Sequence, residues 1–320
     1  MINVPLLSVI IPTTGKPKRK LILKKIFSKI EEEKINEKIE IILVENSDCK
    51  GHYCASLVSD FADLNVRYYN LSQKSSSLAR NYGVKKSRGQ FLVFLDDDCI
   101  PRKSWFRVIE KLTSFSPDFI FQGKIIHKFK EKNIWTEIFL NTGNKFLEGQ
   151  VQPWEPIDFL YAGNVFLNRG ALEELEYLFD EKLFPFVGEQ EDFAYRLKRE
   201  GITILYAPEL VVDHIKEKRT IWTSIKRDFL YGRRDGILTE KYRLDPQIGK
   251  IIREGPEINE ALKKINQERK AGFNRFLRQE TAEYSPFYKV RFLICFLLLR
   301  IAKRVGFLFG RVFYKLYFQK

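Results

Sequence analysis

Gly89-Gln90-Phe91-Leu92-Val93-Phe94-Leu95-Asp96-Asp97-Asp98 is the stretch on which the fold turns. Five successive apolar residues without polar alternation describe a strand covered on both faces, the condition of a parallel sheet flanked by helices. The three carboxylates after it must then emerge at the strand's carboxyl end, where open α/β sheets bind ligands. Carboxylates this close raise one another's pKa unless a cation neutralises them. Oxygen ligation of flexible geometry suits Mg2+ or Mn2+, ions that usually bridge to phosphate. An acidic turn or helix cap is the plainer reading of the triplet taken alone.

Upstream, Leu6–Ile11 is an apolar run ended by Pro12 and followed by the turn-rich Thr13-Thr14-Gly15-Lys16-Pro17. Leu21, Ile22, Ile26 and Ile30 fall near helical spacing and predict an amphipathic helix over 18–33. Ile39–Val44 and Val66–Tyr69 read as strands and 75–87 as a helix. Downstream, Gly123–Phe129 alternates like an edge strand, and 130–165 is rich in loops. Residues 190–200 read as a helix, 202–206 as a strand and 209–214 as a short extended segment. Strands alternating with helices give the fold class α/β, with a mostly parallel, Rossmann-like central sheet flanked by helices.

Charge divides the 320 residues more sharply than hydropathy does. Residues 1–215 hold 30 basic and 30 acidic side chains, 216–285 hold 17 and 11, and 286–320 hold 8 and none. The net +14 therefore belongs to a C-terminal module and not to the whole protein. On this basis 1–216 is expected to form one domain, 217–285 a helical extension and 286–320 a basic, aromatic, amphipathic tail. Phe292–Leu299, the longest apolar run, is far short of the ~20 residues a spanning helix needs. An aromatic and basic segment without acids fits a helix lying in the interface of an anionic membrane; a helix packed on the domain is the alternative. A nucleic-acid partner is not expected, because the apolar run would be wasted on phosphate. Cys49, Cys54, Cys99 and Cys295 form no CxxC pair, and no secretory leader is expected. They are read as thiols in a reducing compartment, and zinc is not expected.

Taken in order, Leu7-Ser8-Val9-Ile10-Ile11-Pro12-Thr13, Ile42-Leu43-Val44-Glu45-Asn46-Ser47 and Leu78-Ala79-Arg80-Asn81, leading into Gly89–Asp98, resemble the family-two glycosyltransferases of the GT-A fold. The resemblance runs from about residue 6 to 216. It implies that Pro12, Thr13 and Glu45 line the base and ribose of a nucleotide-sugar and that Arg80 contacts the nucleotide. It places Asp96 near the ribose, Asp98 on the metal and Asp97 between them. An acid at 45 suits the N–H edge of uracil, although Asn46 stands where many relatives carry a second Asp. Gly163-Asn164 matches the loop under the donor sugar and acceptor, and His214 the position of a third metal ligand. Capping is the plain reading for Thr13, a surface helix position for Arg80, and core or surface for a lone His. His127 reads as structural and His52 as a loop residue. Trp154 suits either packing or stacking on an acceptor sugar.

Gly188-Glu189-Gln190-Glu191-Asp192-Phe193-Ala194-Tyr195-Arg196-Leu197 resembles the segment that opens the family's acceptor-side helix. Acids in a helix's first turn are favoured by its positive end, so capping is the plain reading. The functional one needs a carboxylate to deprotonate the acceptor hydroxyl. Counting back from Arg196, the family's base falls on Gln190, which cannot accept a proton. Asp192 or Glu191 is the first choice for the role and Glu189 the third. Otherwise the register slips locally, or the enzyme retains configuration and needs no such base.

The resemblance implies a Mn2+- or Mg2+-dependent enzyme moving a sugar from a nucleotide-sugar, UDP foremost, to a glycan or lipid-linked acceptor in cell-surface polysaccharide or glycoconjugate synthesis. Inversion is the expected outcome and retention the alternative. With the tail, it places the protein peripherally on the cytoplasmic, inner face of the cell membrane. Two rivals remain. A nucleotidyltransferase would favour a Gly-rich, lysine-bearing phosphate loop after the first strand, of which Thr13–Pro17 is a poor version. A membrane adaptor that has lost catalysis would fit Gln190 but not an intact Asp96, Asp98 and His214.

Overall fold

The computed structural model describes residues 5–34, 38–47, 53–131, 133–139, 152–173, 175–243 and 286–318. Cys49, His52 and residues 244–285 of the expected helical extension lie outside these. The chain forms two compact units, residues 1–128 with 152–216 and residues 129–151 with 217–320.

In chain order the first unit contains β1 (Leu7–Thr13), α1 (Pro17–Glu32), β2 (Ile39–Asn46), α2 (Ser56–Asp60), β3 (Val66–Leu71), α3 (Ser76–Lys86), β4 (Phe91–Leu95), β5 (Cys99–Pro101) and α4 (Trp105–Leu112). It continues through β6 (Phe119–Phe129), whose last residue falls in the second unit. The second unit adds α5 (Ile134–Phe139). Back in the first unit, β7 (Asn164–Asn168), α6 (Glu189–Arg199) and β8 (Thr203–Lys216) follow. The second unit ends with α7 (Ile221–Lys241) and α8 (Pro286–Phe318).

One eight-stranded sheet runs in the order β3-β2-β1-β4-β7-β6-β8-β5. Its first four strands are parallel, with Leu7 opposite both Ile39 and Phe91. At β7 the direction reverses, Leu95 pairing with Asn164. Every residue of β1, β2 and β4 is buried, as largely apolar strands under two helical layers require, and the two polar residues among the apolar ones, Ser8 and Glu40, hydrogen-bond each other at 2.7 Å. Ile22, Leu23, Ile26, Phe27 and Ile30 of α1 supply one covering stripe. Burial of each such side chain is worth about 1.5–3 kcal/mol. This outweighs the cost of Lys18, Arg19 and Lys20 in the helix's first turn, where cations oppose the macrodipole by about 0.3–1 kcal/mol apiece.

Two expectations change. β6 is no edge strand, since it lies between β7 and β8. The segments read as 202–206 and 209–214 are one strand of 14 residues, running through Pro208. That strand pairs antiparallel with β5, Cys99 opposite His214 and Ile100 opposite Asp213.

In the second unit α7 and α8 meet through glycines. A Cβ at Gly232 or Gly236 would collide with the backbone of Lys303 or Phe307, and one at Gly306 or Gly310 with that of Phe229 or Arg233. The contact positions advance together along both chains, so the helices run parallel. Small residues four apart are what allow backbones to approach this closely. Glu240, buried on α7, pairs with Arg311 and lies 3.7 Å from Lys315, while Lys303 meets Asp235 at 3.0 Å. On α8, Ile294, Leu297, Ile301, Val305, Leu308 and Val312 are exposed at helical spacing, an apolar stripe. Among the described residues no helix is long and apolar enough to cross a membrane.

Candidate active site

The triplet Asp96–Asp98 leaves β4 at the sheet's carboxyl end, where parallel winding gives way to the antiparallel β7. Antiparallel pairing of β5 with β8, reinforced by the Ile215 amide donating to the Asp98 carbonyl at 2.8 Å, brings His214 against Asp98. His214 Nε2 lies 3.1 Å from Asp98 Oδ1, both side chains being almost fully buried. The donor atoms of Asp98, Cys99 and His214 fall within 4.8 Å of one another.

Each carboxylate of the triplet has its own partners. Asp96 Oδ1 accepts from Arg80 Nη2 at 2.8 Å. Asp97 Oδ2 accepts from Thr13 Oγ1 at 2.6 Å, and Arg19 Nη1 lies 3.2 Å from its other oxygen. Asp98 Oδ2 meets the same Arg19 nitrogen at 2.5 Å. Burial pushes the Asp97 carboxyl up to about 7, further than the facing Arg19 pulls it down. Burial acts on Asp98 as well, but the His214 hydrogen bond and the charges around it hold this carboxyl well below the usual range. Burial and the neighbouring Lys216 lower the His214 pKa, which favours the neutral imidazole that metal ligation requires. Burial drives the Cys99 thiol far up, keeping it protonated. The set is therefore carboxylate oxygen plus imidazole nitrogen, and it fits a hard or borderline divalent cation.

Arg80 joins the two acidic clusters. Its other terminal nitrogen, Nη1, donates to Glu189 Oε1 at 3.0 Å, and its guanidinium lies 5.6 Å from the Phe179 ring centroid. Glu189 is buried and its second oxygen, Oε2, has no hydrogen-bond partner among the described residues. Asp192, fully buried, accepts from Arg196 Nε at 3.0 Å, and Arg196 also donates to the carbonyls of Tyr177 and Leu178. Glu191 is half-buried. Gln190 Oε1 accepts from the Ala162 amide at 3.3 Å and its Nε2 donates to Glu189. An amide can serve both bonds at once; an ionised carboxylate could not make the second.

Gly163 brings its backbone against this cluster, since a Cβ there would stand 3.0 Å from Asp96 Oδ2 and collide with the Tyr161 ring. Asn164 is braced by the protein. Its Oδ1 accepts from Trp105 Nε1 at 3.0 Å, and its Nδ2 donates to the Leu210 and Lys124 carbonyls. Glu45 is buried too, accepting from the Cys54 amide at 3.0 Å and Tyr68 Oη at 2.9 Å, so it anchors the chain around 53–54 beside the end of β1. Pro12 lies opposite Val44 in the β1–β2 register. Trp154 stacks on Phe115 with ring centroids 5.8 Å apart. The His127 ring sits 4.9 Å from that of His214, and burial pushes its pKa down to about 3.

Of the expected residues, Thr13, Asp96, Asp97, Asp98 and His214, with Gly163 against Asp96, form one group and Glu189 and Gln190 a second, with Arg80 between them. Sequence reading missed Arg19 and Lys216. Arg19 stood at a polar position of an amphipathic helix, and only its reach of one side-chain length across to β4 marks it. Lys216 registered as a domain boundary, though it is the last residue of the strand that carries His214.

Against known proteins, residues 8–176 match Glycosyl transferase family 2. A dolichyl N-acetyl-alpha-D-glucosaminyl phosphate 3-beta-D-2,3-diacetamido-2,3-dideoxy-beta-D-glucuronosyltransferase of Methanococcus voltae is 22% identical over 244 residues, covering 73% of this chain and 74% of that protein. Among solved structures, the mannosyltransferase PcManGT from Pyrobaculum calidifontis, in complex with GDP-Man and Mn2+, superposes with a TM-score of 0.58 at 14% identity. That alignment covers 99% of this chain and 88% of the other. GalNAc-T7 with UDP, GalNAc and Mn2+ gives 0.53 at 16% identity, over 89% of this chain and 59% of that one. These structures share the GT-A fold seen here, a mixed α/β sheet flanked by helices. With its motifs, sheet order and family match in agreement, the chain belongs to glycosyl transferase family 2.

Proposed function

We propose that this chain transfers a sugar from a nucleoside-diphosphate sugar, UDP-linked by the sequence reading, to a lipid-linked glycan at the inner surface of a membrane. The observation that carries the reading is the buried Asp98–His214 pair at 3.1 Å, set beside two further carboxylates at the carboxyl end of β4. In this reading Asp98 and His214 hold a divalent cation, Mn2+ or Mg2+. When bound, the cation supplies the positive charge that stabilises the departing nucleoside diphosphate. Thr13, Pro12 and the wall anchored by Glu45 receive base and ribose. Asp96, fixed by Arg80, turns its second oxygen toward the Gly163 backbone, where ribose and sugar pass. Glu189 is the favoured base among the three candidates because it keeps an unpartnered carboxylate oxygen, whereas Asp192 is committed to Arg196.

Two observations favour the acceptor and its location. The Methanococcus voltae relative's name specifies a dolichyl phosphate-linked sugar, a lipid-linked substrate. The exposed stripe of α8 is edged by the exposed Arg300, Arg304 and Lys315, the arrangement of a helix lying in an anionic interface.

Calorimetry with Mn2+ and UDP on the wild type and Asp98→Asn tests the core of this. Mn2+-dependent UDP binding is expected in the wild type and its loss in the variant, shown by circular dichroism to be folded at the assay temperature, since a neutral amide is a poor ligand for a hard cation. Equal binding in both proteins would refute the assignment.

A further inference from the structure

Arg19 stands out because its position is costly and its partners are those of the cation site. It sits in the first turn of α1 with Lys18 and Lys20 and no acid, at the helix end where positive charge is least welcome. Its guanidinium crosses to the triplet, and one nitrogen spans Asp97 Oδ1 at 3.2 Å and Asp98 Oδ2 at 2.5 Å. His214 takes the other oxygen of Asp98 and Thr13 the other oxygen of Asp97. The two carboxylates are thus divided between His214 and Thr13 on one side and the Arg19 guanidinium on the other. The Arg19 side chain is 32% exposed and its acidic partners about a tenth, so the arginine reaches into the cluster from solvent with room to withdraw.

A divalent ion held by Asp98 and His214 would lie one carboxylate away from this guanidinium, and two cations so close in a poorly screened site repel strongly. We propose that Arg19 is a displaceable counter-ion. It weakens metal binding to the free protein and, once a metal and a nucleoside diphosphate enter together, swings from Asp98 to the diphosphate oxygens. A planar guanidinium suits those oxygens, since it can bind phosphate through two parallel hydrogen bonds. The consequence is positive coupling. The diphosphate removes the repulsion that opposes the metal, so each ligand raises the affinity of the other by the same factor. The inference rests on the reading of Asp98 and His214 as metal ligands but adds a residue and a property which that reading does not contain.

The test is Mn2+ affinity measured by electron paramagnetic resonance, with and without UDP and with GDP in parallel, on the wild type, Arg19→Ala, Arg19→Lys and Asp98→Asn. The wild type is expected to bind Mn2+ weakly alone and at least tenfold more tightly with the nucleotide. Arg19→Ala is expected to bind Mn2+ alone at least fivefold more tightly than the wild type and to lose the nucleotide enhancement to within twofold. Arg19→Lys should fall between them, since it keeps the charge but not the fork. An Arg19→Ala protein whose Mn2+ affinity alone is unchanged or lower, or whose enhancement persists, overturns the counter-ion role while leaving the metal site standing. Wild type and Asp98→Asn both failing to bind Mn2+ overturns the metal reading and this inference with it. Melting curves confirm that each variant is folded, which the exposure of Arg19 leads one to expect.

Discussion

At the scale of single residues, the first turn of α6 separates two kinds of carboxylate that look alike in sequence. Asp192 holds Arg196, which in turn pins the carbonyls of Tyr177 and Leu178. Removing one partner of such a buried pair costs about 3–5 kcal/mol. Asp192→Asn should therefore lower the melting temperature, and any loss of transfer should follow the loss of folded protein. Glu189→Gln also loosens a buried pair, with Arg80, and so lowers the melting temperature too, but the folded protein should keep UDP binding and show transfer per folded molecule reduced by about 10²–10⁴, the usual worth of a general base. Glycosyl transfer assays set beside donor-binding titrations distinguish the two. Undiminished transfer by Glu189→Gln would remove it as the base and turn attention to Glu191, or to retention. The acidic cluster itself was legible in the sequence, but the division of labour within it was not. Which acid is neutralised depends on Arg80 and Arg196, whose side chains arrive from different directions in space.

At the scale of elements, legibility tracked burial. β4 is apolar throughout and β1 and β2 nearly so up to their carboxyl ends, broken only by Ser8 and Glu40, which are buried against each other through a 2.7 Å hydrogen bond; their limits could be read to within a residue or two. β8 could not, since Pro208 lacks an amide hydrogen and reads as a break, yet the strand tolerates it within 14 residues. β6 alternates because only part of each face meets the core, a pattern shared by edge strands and by interior strands that run beyond their covering layer. The glycines of α7 and α8 were equally silent as single residues, and only their registration across two distant helices gives them meaning. Gly306→Leu should force the helices apart, because its Cβ collides with the Phe229 backbone. A loss of about 2–4 kcal/mol is expected, as for severe overpacking or cavity formation in a core. Limited proteolysis should find new cleavage sites in residues 286–318. Unaltered protection would mean that this crossing contributes little.

At the scale of the whole molecule, the exposed stripe on α8 decides between a purely packed tail and one that also meets a lipid surface. The stripe exists alongside the glycine packing, so the helix has one face for α7 and another left open. Ile301→Glu with Leu308→Glu places two acids at its centre without touching the glycine face. This double variant should lose flotation with vesicles of mixed neutral and anionic phospholipid, while soluble-phase binding of UDP and Mn2+ stays within about twofold of wild type. Vesicle binding by the wild type should weaken with salt, the basic edge contributing about 1 kcal/mol per cation, and keep a salt-resistant remainder from apolar burial. Flotation that survives the double substitution would assign the stripe to a protein partner instead.

The register of β5 against β8 carries one more implication. Asp98 and His214 stand far apart along the chain, and nothing holds them together until the last strand of the sheet is in place. The strand that ties β5 into the sheet is thus also the one whose His214 completes the acid–imidazole pair. A growing polypeptide exposes its acidic triplet long before the histidine has been synthesised, and during that interval the partners are those supplied by earlier segments, Thr13 and Arg80 among them. Competence therefore arrives late and all at once, so that an unfinished chain carries the sheet's first strands without the finished site.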